Sequence, residues 1–225
     1  MNIMKSNQAV STSSFAYATI RDRIINLSLK PGEKISEKEL ADEFSLSRTP
    51  IREAMIRLQY DGFVDILAQR GTYVTPIKKD TVMAAHYARS TLECALVQDA
   101  ARQCTEQQII DLKINLDEQE AACRRKTYLD IERLDEELHA KIAEAAGYSA
   151  VWDVIYPVRL HINRVRMLFL EEQRIPSIIS EHAALISAIE SREPAQALDA
   201  MQIHLSYIQT NLAKLADAYS EYINS

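Results

Sequence analysis

The chain has 225 residues, a formal net charge of −6 and 47% hydrophobic residues, enough to bury one large core or two smaller ones without staples. No run of about 18 apolar residues is present to span a bilayer. The opening MNIMKSNQAVSTSS lacks the apolar stretch of a signal peptide, so a soluble, cytoplasmic protein with no membrane partner is expected. Cys94, Cys104 and Cys123 are odd in number and form no CxxC pair, which disfavours a disulfide framework or a cysteine zinc site and leaves core or groove thiols.

Net acidity by itself argues against nucleic acid, because phosphate binding is driven by Lys and Arg. Its distribution weakens that objection: residues 1–77 carry ten Lys/Arg against nine Asp/Glu, and residues 78–225 carry sixteen against twenty-three. Of the four glycines, Gly32, Gly62 and Gly71 precede residue 72, so turns and strands concentrate in the first third and the rest reads as helix. The boundary falls near 76–80, where TPIKKD interrupts a strand pattern. Residues 1–14, rich in Ser, Thr and Asn, are expected to be a disordered lead.

Ile20, Ile24, Ile25 and Leu27 recur at helical spacing over 15–29, and Lys30-Pro31-Gly32 stops that helix. Ser36 and Glu39 have capping-box spacing and open a short helix over 37–44. Ser45-Leu46-Ser47 is the turn before a second helix over 48–58, which tolerates Pro50 in its first turn. Residues 64–67 and 72–75 alternate as strands about the Gly71 turn, a hairpin wing. These elements make residues 15–77 a winged helix-turn-helix, whose second helix enters the major groove by its N-terminus while the wing reaches an adjacent groove or the backbone. Arg48 and Arg52, four apart, share a face and can reach guanine or phosphate; Ser47 and Thr49 can donate to phosphate beside the positive helix end. Arg70 in the wing and Lys38 complete a basic footprint. Such an arginine pair is ordinarily a solvated face; the tight turn, the capped helix and the basic wing tip favour DNA.

Beyond residue 78, six helical stretches follow, at 80–103, 105–126, 128–146, 149–172, 176–191 and 195–220, with breaks at Gly147, Ile175-Pro176 and Glu193-Pro194. The fold class is therefore mainly α, with an all-helical bundle over 78–225. Asp135 and His139, four apart, project together; His182 lies in line with Ile178, Leu185 and Ile189, and His204 with Met201 and Ile208. A lone buried histidine is most often a satisfied core residue, the reading kept for His86 and His161. Imidazoles beside a carboxylate on facing stripes need a compensating charge, and a divalent metal supplies it: zinc first, with nickel or manganese as alternatives. Arg89 also points inward, and a buried guanidinium needs an anion; Glu93 on the next turn and a carboxylate effector gripped bidentately are both open.

The run KPGEKISEKELADEFSLSRTPIREAMIRLQYDGFVDILAQRGTYV resembles the N-terminal domain of the GntR family of bacterial transcription regulators, in its fatty-acid-regulator-like branch. That resemblance implies base or backbone contact by Arg48 and Arg52, phosphate contact by Ser47, Thr49 and Lys38, and minor-groove approach by Arg70 and Gly71. LDEELHAKIAEAAG, EHAALISAIESREPAQALDAMQIHL and the Arg89/Glu93 pair resemble the FCD ligand-binding domain of the same regulators. It implies a helical bundle that holds a metal through Asp135, His139, His182 and His204, with a small organic acid completing the coordination. Gly147-Tyr148 and Arg192-Glu193 depart from the Gly-Asn and Gly-Asp common at those turns. The expected protein is a homodimeric, ligand-responsive regulator of double-stranded operator DNA. Two alternatives are a metal-dependent hydrolase, for which no residue is singled out as general base, and a regulator whose metal is a purely structural clasp.

Overall fold

The computed structural model describes residues 11–168 and 174–224. The chain forms two units, one running to Ile77 and including Glu221–Asn224, the other spanning Lys78–Ser220. Among the described residues, no helix is long and apolar enough to cross a membrane.

In the first unit the Ser11 hydroxyl accepts the Ser14 N–H at 3.1 Å and caps α1 (Thr12–Ile25). The lead expected to be disordered over 1–14 therefore gives way to helix at residue 12, because its serines act as caps; residues 1–10 lie outside the described residues. α1 stops at Ile25 rather than 29, with Leu27 in the left-handed region at φ 62°. A two-residue strand that the sequence did not announce, β1 (Lys34–Ile35), leads to α2 (Glu37–Glu43), whose cap Ser36 accepts the Glu39 N–H at 3.2 Å. Ser45 at φ 55° then lets the Leu46 N–H return to the Ala41 carbonyl at 2.9 Å, a Schellman closure that sets the turn. α3 (Arg48–Tyr60) buries Ile51, Ala54, Met55 and Leu58, and α1 packs on it with Ala16, Ile20 and Ile24 buried. β2 (Val64–Leu67) and β3 (Gly71–Val74) form the wing, with Val64 opposite Val74 and Leu67 opposite Gly71 in an antiparallel sheet of order β1-β3-β2. Gly71 is favoured by its φ of +113°, a conformation that L side chains rarely adopt. Near the chain end, the Ile77 N–H donates to the Tyr222 carbonyl at 2.8 Å.

Among the described residues, the second unit is a bundle of six helices. α4 (Lys79–Gln103) packs against α6 (Tyr128–Ala145), α7 (Ser149–Leu168), α8 (Ile175–Glu190) and α9 (Pro194–Ala218), while α5 (Glu106–Arg125) packs against α6 and α8. The stretch expected to extend α7 to 172 falls partly on residues 169–173, outside the described residues. Pro176 and Pro194 occupy the first turns of α8 and α9, so the two expected proline breaks are helix starts, where a fixed φ and a missing N–H cost nothing. α5 opens on a complete capping box between Thr105 and Gln108. The core joins Val97, Leu112, Leu138, Ile142, Leu185 and Ile189 from four helices.

Leu112→Ala, at a fully buried position, should lower the unfolding free energy of this unit by about 2–5 kcal/mol. Denaturant titration checks it, and an unchanged midpoint would mean that the bundle is packed differently.

Candidate metal centre and nucleic-acid face

α6 supplies Asp135 and His139 from adjacent turns, α8 supplies His182 and α9 supplies His204, each buried on the inward stripe of its helix. One ligand atom from each of the four lies within 4.8 Å of all the others. The outer ring nitrogens fix which inner atoms carry lone pairs. His182 Nδ1 donates to Gln119 Oε1 at 2.7 Å, and Gln119 Nε2 in turn donates to Asn115 Oδ1 at 2.7 Å. His204 Nδ1 donates to Glu181 Oε2 at 3.1 Å, and His139 Nδ1 faces Glu93 Oε2. Carboxylate and amide oxygens only accept, so each Nδ1 holds a proton, and a neutral ring held in this way turns an unprotonated Nε2 inward.

Those inner atoms meet like with like. His139 Nε2 stands 3.2 Å from His204 Nε2, and His182 Nε2 stands 3.3 Å from Asp135 Oδ1. Asp135 Oδ1 and His182 Nε2 are buried without a hydrogen-bond partner among the described residues. Three imidazole nitrogens and a carboxylate oxygen with converging lone pairs fit a divalent cation of borderline character, and the donor set fits zinc, nickel or manganese alike.

Charged side chains surround the ligands. Asp135 Oδ2 accepts from Arg159 and, at 2.9 Å, from Arg166 Nη1; Arg166 Nη2 also lies 3.2 Å from Glu132. Burial alone would raise the Asp135 carboxyl, but Arg166 and Arg159 hold it well below the usual carboxylate range. Burial acts against Glu93 in the same way and is outweighed by Arg89 and His139, so Glu93 stays ionised. Burial pushes His139 down and His204 down to about 3, in each case only partly offset by the neighbouring carboxylate, Glu93 or Glu181, so both rings are neutral at pH 7. Arg89 donates through Nε to Glu93 Oε1 at 2.7 Å, the simpler of its two expected partners, and through Nη2 to His139 Nε2 at 3.1 Å.

A small solvent-connected cavity adjoins the cluster. His204, Arg89 and Arg166 form the wall nearest the ligands, Arg174 and His86 add polar edges, and Ile178, Leu205 and Ile208 supply apolar surface. His86, read from sequence as an ordinary core histidine, is thus a cavity wall. Cys104 is buried, and Cys94 and Cys123 are half-buried free thiols.

On the first unit, Lys38, Ser47, Arg48, Thr49, Arg52 and Arg70 are all exposed and Gly71 is partly so. Other basic residues there are occupied: Arg23 pairs with Glu43, and Arg57 lies 4.1 Å from the Tyr17 ring centroid. Among the described residues no carboxylate is paired with Arg48, Arg52 or Lys38, and Ser47 caps α3 without a side-chain cap bond.

Sequence reasoning missed Gln119, Asn115, Glu181, Arg159, Arg166 and Arg174. A signal existed for some: Asn115 and Gln119 interrupt the apolar stripe Ile109, Leu112, Ala122 of α5, and Arg159 and Arg166 flank Ile162 on the buried side of α7.

A winged helix-turn-helix followed by a helical module is the build of a DNA-binding regulator. The chain belongs to the GntR family of bacterial regulatory proteins: the gntR family model matches residues 12–74, and the FCD domain model matches residues 85–207. It is 31% identical over 209 residues to the HTH-type transcriptional repressor RspR of Escherichia coli K12, covering 92% of each chain. Its fold is similar to that of E. coli McbR/YncC (TM-score 0.78, 19% identity, 94% of this chain and 100% of that one). A putative GntR regulator from Rhodococcus is also similar (TM-score 0.74, 19% identity, 92% and 98%). The protein is a transcriptional regulator, not an enzyme, and the hydrolase alternative is set aside.

Acid should destabilise the metal-free second unit. His204 titrates near 6.5 when unfolded and near 3 when folded, so stability is complete above pH 6.5 and falls as protons bind the unfolded chain below it. Asp135 and Glu93, both depressed, act in the same direction once pH drops towards their unfolded values of 3.8 and 4.5. Each such group adds a slope of about 1.4 kcal/mol per pH unit in its window. Chemical denaturation from pH 7 to 4 checks this, and a flat profile would contradict the buried neutral imidazoles.

Proposed function

We propose that the protein regulates transcription in the cytoplasm as a homodimer, that its helical unit binds a divalent metal together with a small organic acid, and that acid binding alters its grip on operator DNA. The convergence of three unprotonated imidazole nitrogens and one carboxylate oxygen at a buried site carries the sensing half of this reading. Asp135, His139, His182 and His204 would hold the ion, zinc being the first choice, and the ion when bound supplies a Lewis-acid anchor for a carboxylate. The chain's own groups do the rest. Glu93, Gln119 and Glu181 orient the imidazoles, Arg159 and Arg166 fix Asp135, and Arg89, Arg166 and Arg174 give the adjoining cavity a positive wall suited to an anion.

For the reader half, Arg48 and Arg52 are assigned to base edges or backbone, Ser47, Thr49 and Lys38 to phosphates, and Arg70 with Gly71 to the groove under the wing. Their exposure, and the absence of carboxylate partners for Arg48, Arg52 and Lys38 among the described residues, support this. A ligand shifts DNA binding only if it prefers one of two states, so the acid must differ in affinity between free and operator-bound protein.

Two measurements test the proposal. An operator selected from random duplexes should be protected by the wild type and lose protection with Arg48→Ala or Arg52→Ala; wild-type binding by both variants would remove the assignment. His139→Ala combined with His182→Ala should abolish bound metal by elemental analysis, and full retention would place the ion elsewhere. A metal whose removal lowers the melting temperature, with no acid shifting operator affinity in its presence, would instead mark the structural clasp.

A further inference from the structure

We propose that Arg89 is a built-in rival of the metal for His139, so that ion uptake must move its guanidinium off the imidazole and into the adjoining cavity. The inference rests on the metal reading given above and concerns how that site is regulated. Arg89 Nη2 donates to His139 Nε2 at 3.1 Å. An imidazole nitrogen has one lone pair in the ring plane, and it cannot accept from a guanidinium and bind a cation at once. The other ring nitrogen offers no escape, because His139 Nδ1 faces Glu93 Oε2. Arg89 also brings a permanent positive charge against a buried ligand, where Coulomb repulsion of a second cation is strong.

The fold gives the displaced group a place to go. Arg89 already lines the cavity beside the ligands, and a change of side-chain torsions carries Nη2 away from His139 towards that space. Arg166 and Arg174, on the same wall, stay committed to Asp135 and Glu181. Metal uptake therefore adds a donor to the cavity at the moment an anion becomes necessary. By linkage, an anion that holds Arg89 in the cavity tightens metal binding by the same factor that the metal tightens the anion.

The test is Zn²⁺ affinity of the full chain, measured by competition with a chromophoric chelator in buffer free of organic acids. Arg89→Met should bind Zn²⁺ about tenfold more tightly than wild type, since a charged hydrogen bond no longer competes. Because that change strips Glu93 of its guanidinium, the charge-balanced pair Arg89→Met with Glu93→Gln, which keeps an acceptor for His139 Nδ1, is measured beside it and should show the same gain. A crystal of the Zn²⁺-loaded wild type should show Arg89 Nη2 out of hydrogen-bonding distance of His139 Nε2. Unchanged or weaker affinity in both variants, or a persisting Arg89–His139 bond in the loaded crystal, overturns the rivalry and leaves the metal site standing. Failure of wild type and variants alike to take up Zn²⁺ overturns the metal reading, and this inference with it.

Discussion

Inside the helical unit, lone pairs are aimed at lone pairs across little more than 3 Å between buried side chains. Each buried acceptor left unsatisfied costs about 1–3 kcal/mol, and the cost falls on atoms drawn from three different helices. The arrangement extends further outward. α4 contributes Arg89 and Glu93, α5 Asn115 and Gln119, α6 Asp135 and His139, α7 Arg159 and Arg166, α8 Glu181 and His182, and α9 His204. Every helix named here thus contributes a polar side chain either to the four converging ligands or to the groups that hold them. On the proposed reading, a cation between the four ligands would turn a set of mutual penalties into coordination bonds.

Charge balance extends the same constraint to the cavity. Among the ion pairs of the described residues that touch the ligands and the cavity wall, Arg89, Arg159, Arg166 and Arg174 stand against Glu93, Glu132, Asp135, Glu136 and Glu181, one negative charge in excess. On the proposed reading a divalent ion reverses that excess to one positive, in a buried setting where unpaired charge is expensive. An acid anion restores neutrality. Metal and acid are then two parts of one electrostatic requirement, which is why a site of this composition suits sensing: neither charge state is comfortable without its partner.

The sequence made some of this legible and hid the rest for physical reasons. Asp135, His139, His182 and His204 stood out because a polar residue on an apolar helical stripe breaks the pattern, and the structure brings those four together. Asn115 and Gln119 break the stripe of α5 in the same way, but amides are neutral and raise no alarm about compensation, so they passed as ordinary. Arg159 and Arg166 lie seven apart on a helix with several charges, where spacing alone does not tell the buried face from the wet one. The winged unit was legible through its turn chemistry. β1 was not, because two residues carry no periodicity, and the start of α1 was misplaced because Ser and Thr serve caps and loose chain equally well.

The central claim is that one cation joins α6, α8 and α9 through four named side chains. Anomalous diffraction at the zinc edge, from crystals of the full chain grown with Zn²⁺, addresses it directly. The account requires one strong peak at about 2.0–2.2 Å from Nε2 of His139, His182 and His204 and from an oxygen of Asp135. A zinc peak elsewhere on the protein, with His182 and His204 uncoordinated, would contradict it.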